Sequence, residues 1–135
     1  MVAIETRGRF LIATLSGELD HVQSERLRAQ IDAGFEKSVC KHIIFDMKDV
    51  GFMDSSGIGV IIGRFKNAEK RGGQVVLAGM CDSLIRLFEV SGLAKIIARA
   101  TDVKTAISML EQSALARAFR EETSPSREGG KAGER

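Results

Sequence analysis

The sequence predicts an α/β domain built on a small, mostly parallel sheet, and three observations carry that prediction. From about residue 40 onward, short apolar runs with strand character alternate with segments whose apolar residues recur at helical spacing. Such alternation calls for right-handed crossovers, which make neighbouring strands parallel. Glycine or aspartate marks most changes of pattern, as turns and helix caps require. The first sixteen residues instead hold two strand-like runs around Arg7-Gly8, so an opening hairpin adds antiparallel character.

Taken in order, a short strand over residues 2–5 pairs with FLIATLS at 10–16, which is rich in β-branched and aromatic residues and ends at Gly17. Asp20 then precedes a helical stripe of Leu27, Ile31 and Phe35, with Gln23 three residues after it in a variant of the capping box. HIIFDM at 42–47 is a nearly continuous apolar run, the pattern of a strand covered on both faces. Beyond the DSSG stretch, Ile58, Ile61, Ile62, Phe65 and Ala68 repeat at helical spacing until Lys70-Arg71-Gly72-Gly73 ends the segment. A strand over 74–78 follows. Asp82-Ser83 cap a helix running to about Val90, Ser91-Gly92 break it, and residues 95–98 form a last short strand. Asp102 caps a final helix carrying Val103, Ala106, Ile107 and Leu110. From about Arg117 the chain holds its only proline, many charges and almost nothing to bury, so the folded domain is expected over 1–115 and a disordered tail over 116–135.

Composition narrows the function. The 135 residues, 44% of them hydrophobic, suffice for one domain with a core. Basic and acidic residues number 20 and 18 and are thoroughly mixed, with no Trp or Tyr for base stacking, so neither nucleic acid nor an anionic membrane is an expected direct partner. No charged leader and no run of about eighteen apolar residues occurs, which predicts a soluble, cytoplasmic protein. Cys40 and Cys81 lie far apart and are expected to be reduced thiols. With His21 and His42 they make too thin a set for zinc, so no metal and no cofactor are expected.

Asp54-Ser55-Ser56-Gly57 is the stretch that asks for a chemical explanation. A hydrolase elbow would read G-x-S-x-G, whereas Met53-Asp54 precede this serine pair. A dinucleotide loop is not completed either, because Ile62 stands where the third glycine of G-x-G-x-x-G belongs. Beside an anion held at the helix N-terminus, two readings weigh more: oxygens that cap a helix, or a hydroxyl exposed at a helix mouth as another enzyme's substrate. The glycines weigh on that choice. Gly57, Gly59 and Gly63 fall within one helical pattern, and each interior glycine costs about 1 kcal/mol relative to alanine. Gly59 and Gly63 share one face, with Val60 and Asn67 close to it, while Ile58, Ile61, Ile62 and Phe65 look towards the core. That face suits a docking protein, or it allows close packing on the chain's own sheet.

Three separated blocks then become recognisable: GELDH at 17–21, FMDSSGIGVIIGRFK at 52–66 and RLFEVSGLAKII at 86–97. Together they closely resemble the anti-sigma-factor antagonists of the STAS domain family, those of sporulation above all. The likeness covers roughly residues 1–112 in order. It implies a small mixed sheet with helices packed largely on one side, and a regulator rather than an enzyme. By resemblance Ser55 is phosphorylated by an anti-sigma factor that is also a GHKL-type, nucleotide-bound serine kinase. The unphosphorylated protein would bind that kinase and release its sigma factor, controlling transcription, and a PP2C-type phosphatase would reset it. Asp20 matches a family residue near the partner surface, Asp54 and Ser56 flank the acceptor, and Gly59, Gly63 and Arg64 fall on the matching helix as partner-binding positions. The rival within the family is a STAS module serving as scaffold or transporter appendage without this kinase cycle.

Overall fold

The computed structural model describes the backbone of residues 2–122 and the side chains of residues 2–115. Strand β1 (Val2–Arg7) turns at Gly8, whose φ of +58° suits a residue without Cβ, into β2 (Phe10–Leu19). The two run antiparallel from Val2↔Leu15 to Arg7↔Phe10. Helix α1 (His21–Glu36) leads to β3 (His42–Met53), α2 (Ser55–Lys70) to β4 (Val75–Ala78), and α3 (Asp82–Ser91) with a short 3-10 turn (Leu93–Lys95) to β5 (Ala98–Ala100). Helix α4 (Val103–Glu122) closes the order. The five strands form one sheet in the sequence β1-β2-β3-β4-β5, with every pair after the first parallel. The expected α/β fold with a mostly parallel sheet is thus observed.

Alternation along the central strands divides the core in two. Leu11, Ala13 and Leu15 of β2, Ile43, Phe45 and Met47 of β3, and Val75 and Leu77 of β4 face α1, α2 and α3. Against them pack Leu27, Ile31 and Phe35 of α1, Ile61 and Ala68 of α2, and Leu84 and Phe88 of α3. Ile12, Ile44, Val76 and Ala78 point the other way, towards Ala106 and Leu110 of α4. This explains why the 42–47 run reads as nearly continuously apolar: β3 is covered on both sides. Three helices lie on one face and one on the other, as the resemblance implied.

Several expected boundaries move. The last strand is Ala98–Ala100, not 95–98; residues 93–95 curl because Leu93 and Ile97 both turn into the larger core, with Ile96 and Ile97 N–H groups returning to the Leu93 carbonyl. Strands β2 and β3 also run past their expected ends, to Leu19 and Met53, continuing to pair across register shifts between Thr14 and Ser16 and between Gly17 and Glu18. Helix α4 continues across residue 115 to Glu122, and the rest of the expected tail, 123–135, lies outside the described residues.

Phe45 is fully buried in the larger core. Phe45→Ala should cost about 3–5 kcal/mol, and Ile44→Val, one residue earlier but facing α4, only about 0.5–1.5 kcal/mol. Urea unfolding of the two variants measures the contrast.

Candidate functional site

Strands β2 and β3 finish level, with Leu19 and Met53 as register partners. Each chain then enters a helix through an aspartate, and the symmetry is visible in G-E-L-D and G-F-M-D. Asp20 caps α1 by accepting from the Gln23 N–H at 3.0 Å. Asp54 caps α2 by accepting from the Ser56 and Gly57 N–H groups at 2.9 and 3.4 Å. The Asp54 N–H in turn reaches the Leu19 carbonyl at 3.4 Å. Two helix N-termini therefore stand side by side at the carboxyl edge of a parallel sheet, where α/β folds place their binding sites.

Gly57 is the tightest point of this arrangement. A methyl carbon placed there would stand 2.6 Å from Met53 Cγ and 3.0 Å from the Leu19 carbonyl oxygen, so only glycine lets α2 begin so close to the strand ends. With Gly57 turned inward, Ser55, the first residue of α2, is turned out: it is exposed, and its hydroxyl has no hydrogen-bond partner among the described residues. Ser56 is half-buried, and its Oγ lies 3.3 Å from Nδ1 of His21.

Gly59 is exposed and Gly63 half-buried, and a methyl on either would meet no neighbouring atom within 4 Å. Neither glycine is therefore needed for packing against the sheet. Val60 departs from its expected place near that face, because it is buried in the larger core. Arg64 and Asn67 turn instead to α1, where Asp32 meets Arg64 Nε at 3.0 Å and Asn67 Nδ2 at 3.5 Å. Burial pulls the Arg64 guanidinium below its ordinary pKa, and Asp32 opposes that pull. Of the seven site residues read from the sequence, Asp20, Asp54, Ser55, Ser56, Gly59 and Gly63 belong to the edge formed by the two helix starts or to the open face of α2; Arg64 stands apart as a clamp between helices.

Two side chains at this edge were not legible as site residues. Val22, in the first turn of α1, and Phe52, at the end of β3, are 58% and 49% exposed. An apolar residue out of phase with the buried stripe was the only available signal.

A hollow of about 720 Å³ adjoins this edge beside α1, lined by Leu19, Asp20, Gln23, Arg26 and Gln30 among others, with none from α2. The structure does bring His21 to Ser56, a pairing the sequence did not suggest. No carboxylate orients the imidazole through its other nitrogen among the described residues, as a serine nucleophile's base requires. Cys40 and Cys81 are both free thiols, no group of His, Cys, Asp and Glu that could hold a metal occurs among the described residues, and no described helix is long and apolar enough to cross a membrane.

A family model described as the STAS domain matches residues 1–107. An anti-sigma F factor antagonist of Paenibacillus polymyxa is 38% identical over 110 residues, which cover 82% of this chain and 94% of that protein. Among solved structures, the anti-sigma factor antagonist SpoIIAA in its unphosphorylated form superposes with a TM-score of 0.73 at 30% identity, covering 83% of this chain and 97% of that one. The phosphorylated form of the Bacillus cell fate determinant SpoIIAA gives a TM-score of 0.64 at 31% identity, covering 81% and 98%.

The glycine geometry makes opposite forecasts for two positions in one helix. Gly57→Ala should lose about 1–3 kcal/mol through overpacking against Met53 and Leu19, whereas Gly59→Ala should gain up to about 1 kcal/mol from helix propensity. Denaturant midpoints of the two variants decide between this and any shared role.

Proposed function

The chain belongs to the STAS domain family, and from that premise we propose that it is an anti-sigma-factor antagonist whose unphosphorylated form binds an anti-sigma factor and thereby frees a sigma factor. Phosphate on Ser55 switches it off. The kinase is the anti-sigma factor itself, of GHKL type and nucleotide-loaded, and a PP2C-type phosphatase resets the cycle. The observation that carries this reading is the Ser55 hydroxyl: exposed, without a partner among the described residues, and on the same helix as an open glycine face. Asp20, Asp54, Ser56, Gly59 and Gly63 form the docking surface around it, with Val22 and Phe52 as its apolar anchors. Arg64 serves that surface indirectly by holding α2 to Asp32 of α1.

The energetics favour a switch at the interface over one that unfolds the domain. A phosphoserine places about two negative charges at a helix N-terminus, where the dipole favours an anion by about 0.3–1 kcal/mol. The fold tolerates the group. In a docked complex the same phosphate adds bulk, stands beside the Asp54 carboxylate and must shed water. A loss of about 3–4 kcal/mol there weakens binding by a few hundredfold.

The test is to incubate the protein with its anti-sigma kinase and ATP and to map phosphate by mass spectrometry. Label is expected on Ser55, and Ser55→Ala should remove it from that position and leave at most slow labelling of Ser56; undiminished labelling of that variant at Ser56 would overturn the assignment. Gly59→Ala should lower kinase affinity while leaving the fold at least as stable, measured by titration calorimetry. Residues 1–115 are sufficient for the switch, since among the described residues Leu110 is the last buried side chain and Ser113 the last to make a side-chain hydrogen bond, accepting from Gln74. Truncation after Leu115 should change kinase affinity by less than about tenfold, or about 1.4 kcal/mol.

A further inference from the structure

Ser55 and Ser56 are adjacent and chemically identical, so residue type alone cannot tell a kinase which hydroxyl to take. Their surroundings differ. The Ser56 hydroxyl lies 3.3 Å from Nδ1 of His21, 35 positions away in sequence, whereas the Ser55 hydroxyl has no partner among the described residues. His21 reaches α2 because β2 and β3 end level and each passes through one aspartate into its helix. The imidazole plays no part in capping its own helix, since the Asp20 carboxylate takes the Gln23 N–H. Among the described residues, its side-chain hydrogen bond goes across to the neighbouring helix.

We infer that His21 selects the phosphoacceptor: by holding the Ser56 hydroxyl towards α1, it leaves that of Ser55 as the one free to meet an incoming phosphoryl group. This rests on the antagonist reading given above. In the transfer, a serine Oγ forms a bond to the γ-phosphorus of a nucleoside triphosphate and the bond from that phosphorus to the β,γ-bridging oxygen breaks. The nucleoside diphosphate leaves, and the hydroxyl proton passes to a base of the kinase. Ser56 enters this reaction only after its Oγ turns away from the imidazole, giving up a hydrogen bond that Ser55 never had. One neutral hydrogen bond corresponds to a factor of roughly two to ten. His21 is a positioning residue, since it acts on the choice between hydroxyls through Ser56 and not on the phosphoryl group.

The experiment uses the full chain, its anti-sigma kinase and ATP, with site-resolved labelling rates from tandem mass spectrometry. Ser55→Ala is compared with His21→Ala/Ser55→Ala and His21→Asn/Ser55→Ala. Slow labelling of Ser56 in the single variant should rise several-fold, up to about tenfold, when the imidazole is also removed. Asparagine, whose amide stands near the place of Nδ1, should return it towards the lower rate. Equal Ser56 rates with and without the imidazole would overturn the selection while leaving phosphorylation of Ser55 intact. So would a His21→Ala variant that only slows Ser55 labelling and moves no phosphate, because a merely structural role predicts that pattern. Absence of label from Ser55 in the unaltered chain would overturn the antagonist reading and the selection together.

Discussion

At Gly57 the start of α2 presses on the ends of two strands so closely that a single methyl would stand 2.6 Å from Met53 Cγ. Much of the surrounding edge follows from this approach. Because the inward position of the first turn is taken by glycine, the helix begins flush with the sheet and Ser55 is rotated outward. Because β2 ends level with β3, the start of α1 lies within a hydrogen bond of the start of α2. Backbone spacing and the absence of one side chain, more than any special reactivity, set the exposure of the serine.

The two helices are held by unlike contacts along their length. Near the mouth the link is the His21–Ser56 hydrogen bond between accessible groups. Deeper in, Arg64 is buried against Asp32, yet its Nε and Nη1 make no well-aligned hydrogen bond, and the buried Ser24 hydroxyl makes none either. Removing one partner of such an ion pair strands the other in a poorly solvated place, so the pair enforces the helix arrangement even if it adds little net stability. A buried ion pair below and a hydrogen bond between accessible groups above thus hold the two helix starts together at two depths.

Much of this was legible in the sequence where local chemistry decided it. Asp20, Asp54 and Asp102 each accept a backbone N–H as N-caps, and Leu27, Ile31 and Phe35 form a buried stripe. What stayed hidden depended on partners distant along the chain. The extension of β3 through K-D-V-G-F carries no regular alternation and exists because β2 pairs with it. The 93–97 segment reads as a strand by composition, but Leu93 and Ile97 are both drawn into one core and the backbone curls between them. Arg64 looks like a surface residue until Asp32 is found opposite it. Val60 shows the limit of a helical wheel, since position on the wheel cannot say how wide the covered face will be.

Helix α4 lies on the opposite face of the sheet from α1 and α2, and it runs from the edge at Ala100 back past the start of β4, where Ser113 meets Gln74. The backbone therefore leaves its last described element at the far end from Ser55. A fluorophore, affinity handle or second domain joined at the end of that helix would be tethered on the other side of the sheet from the starts of α1 and α2, so the protein can be immobilised from that side with the Ser55 hydroxyl still facing the solution.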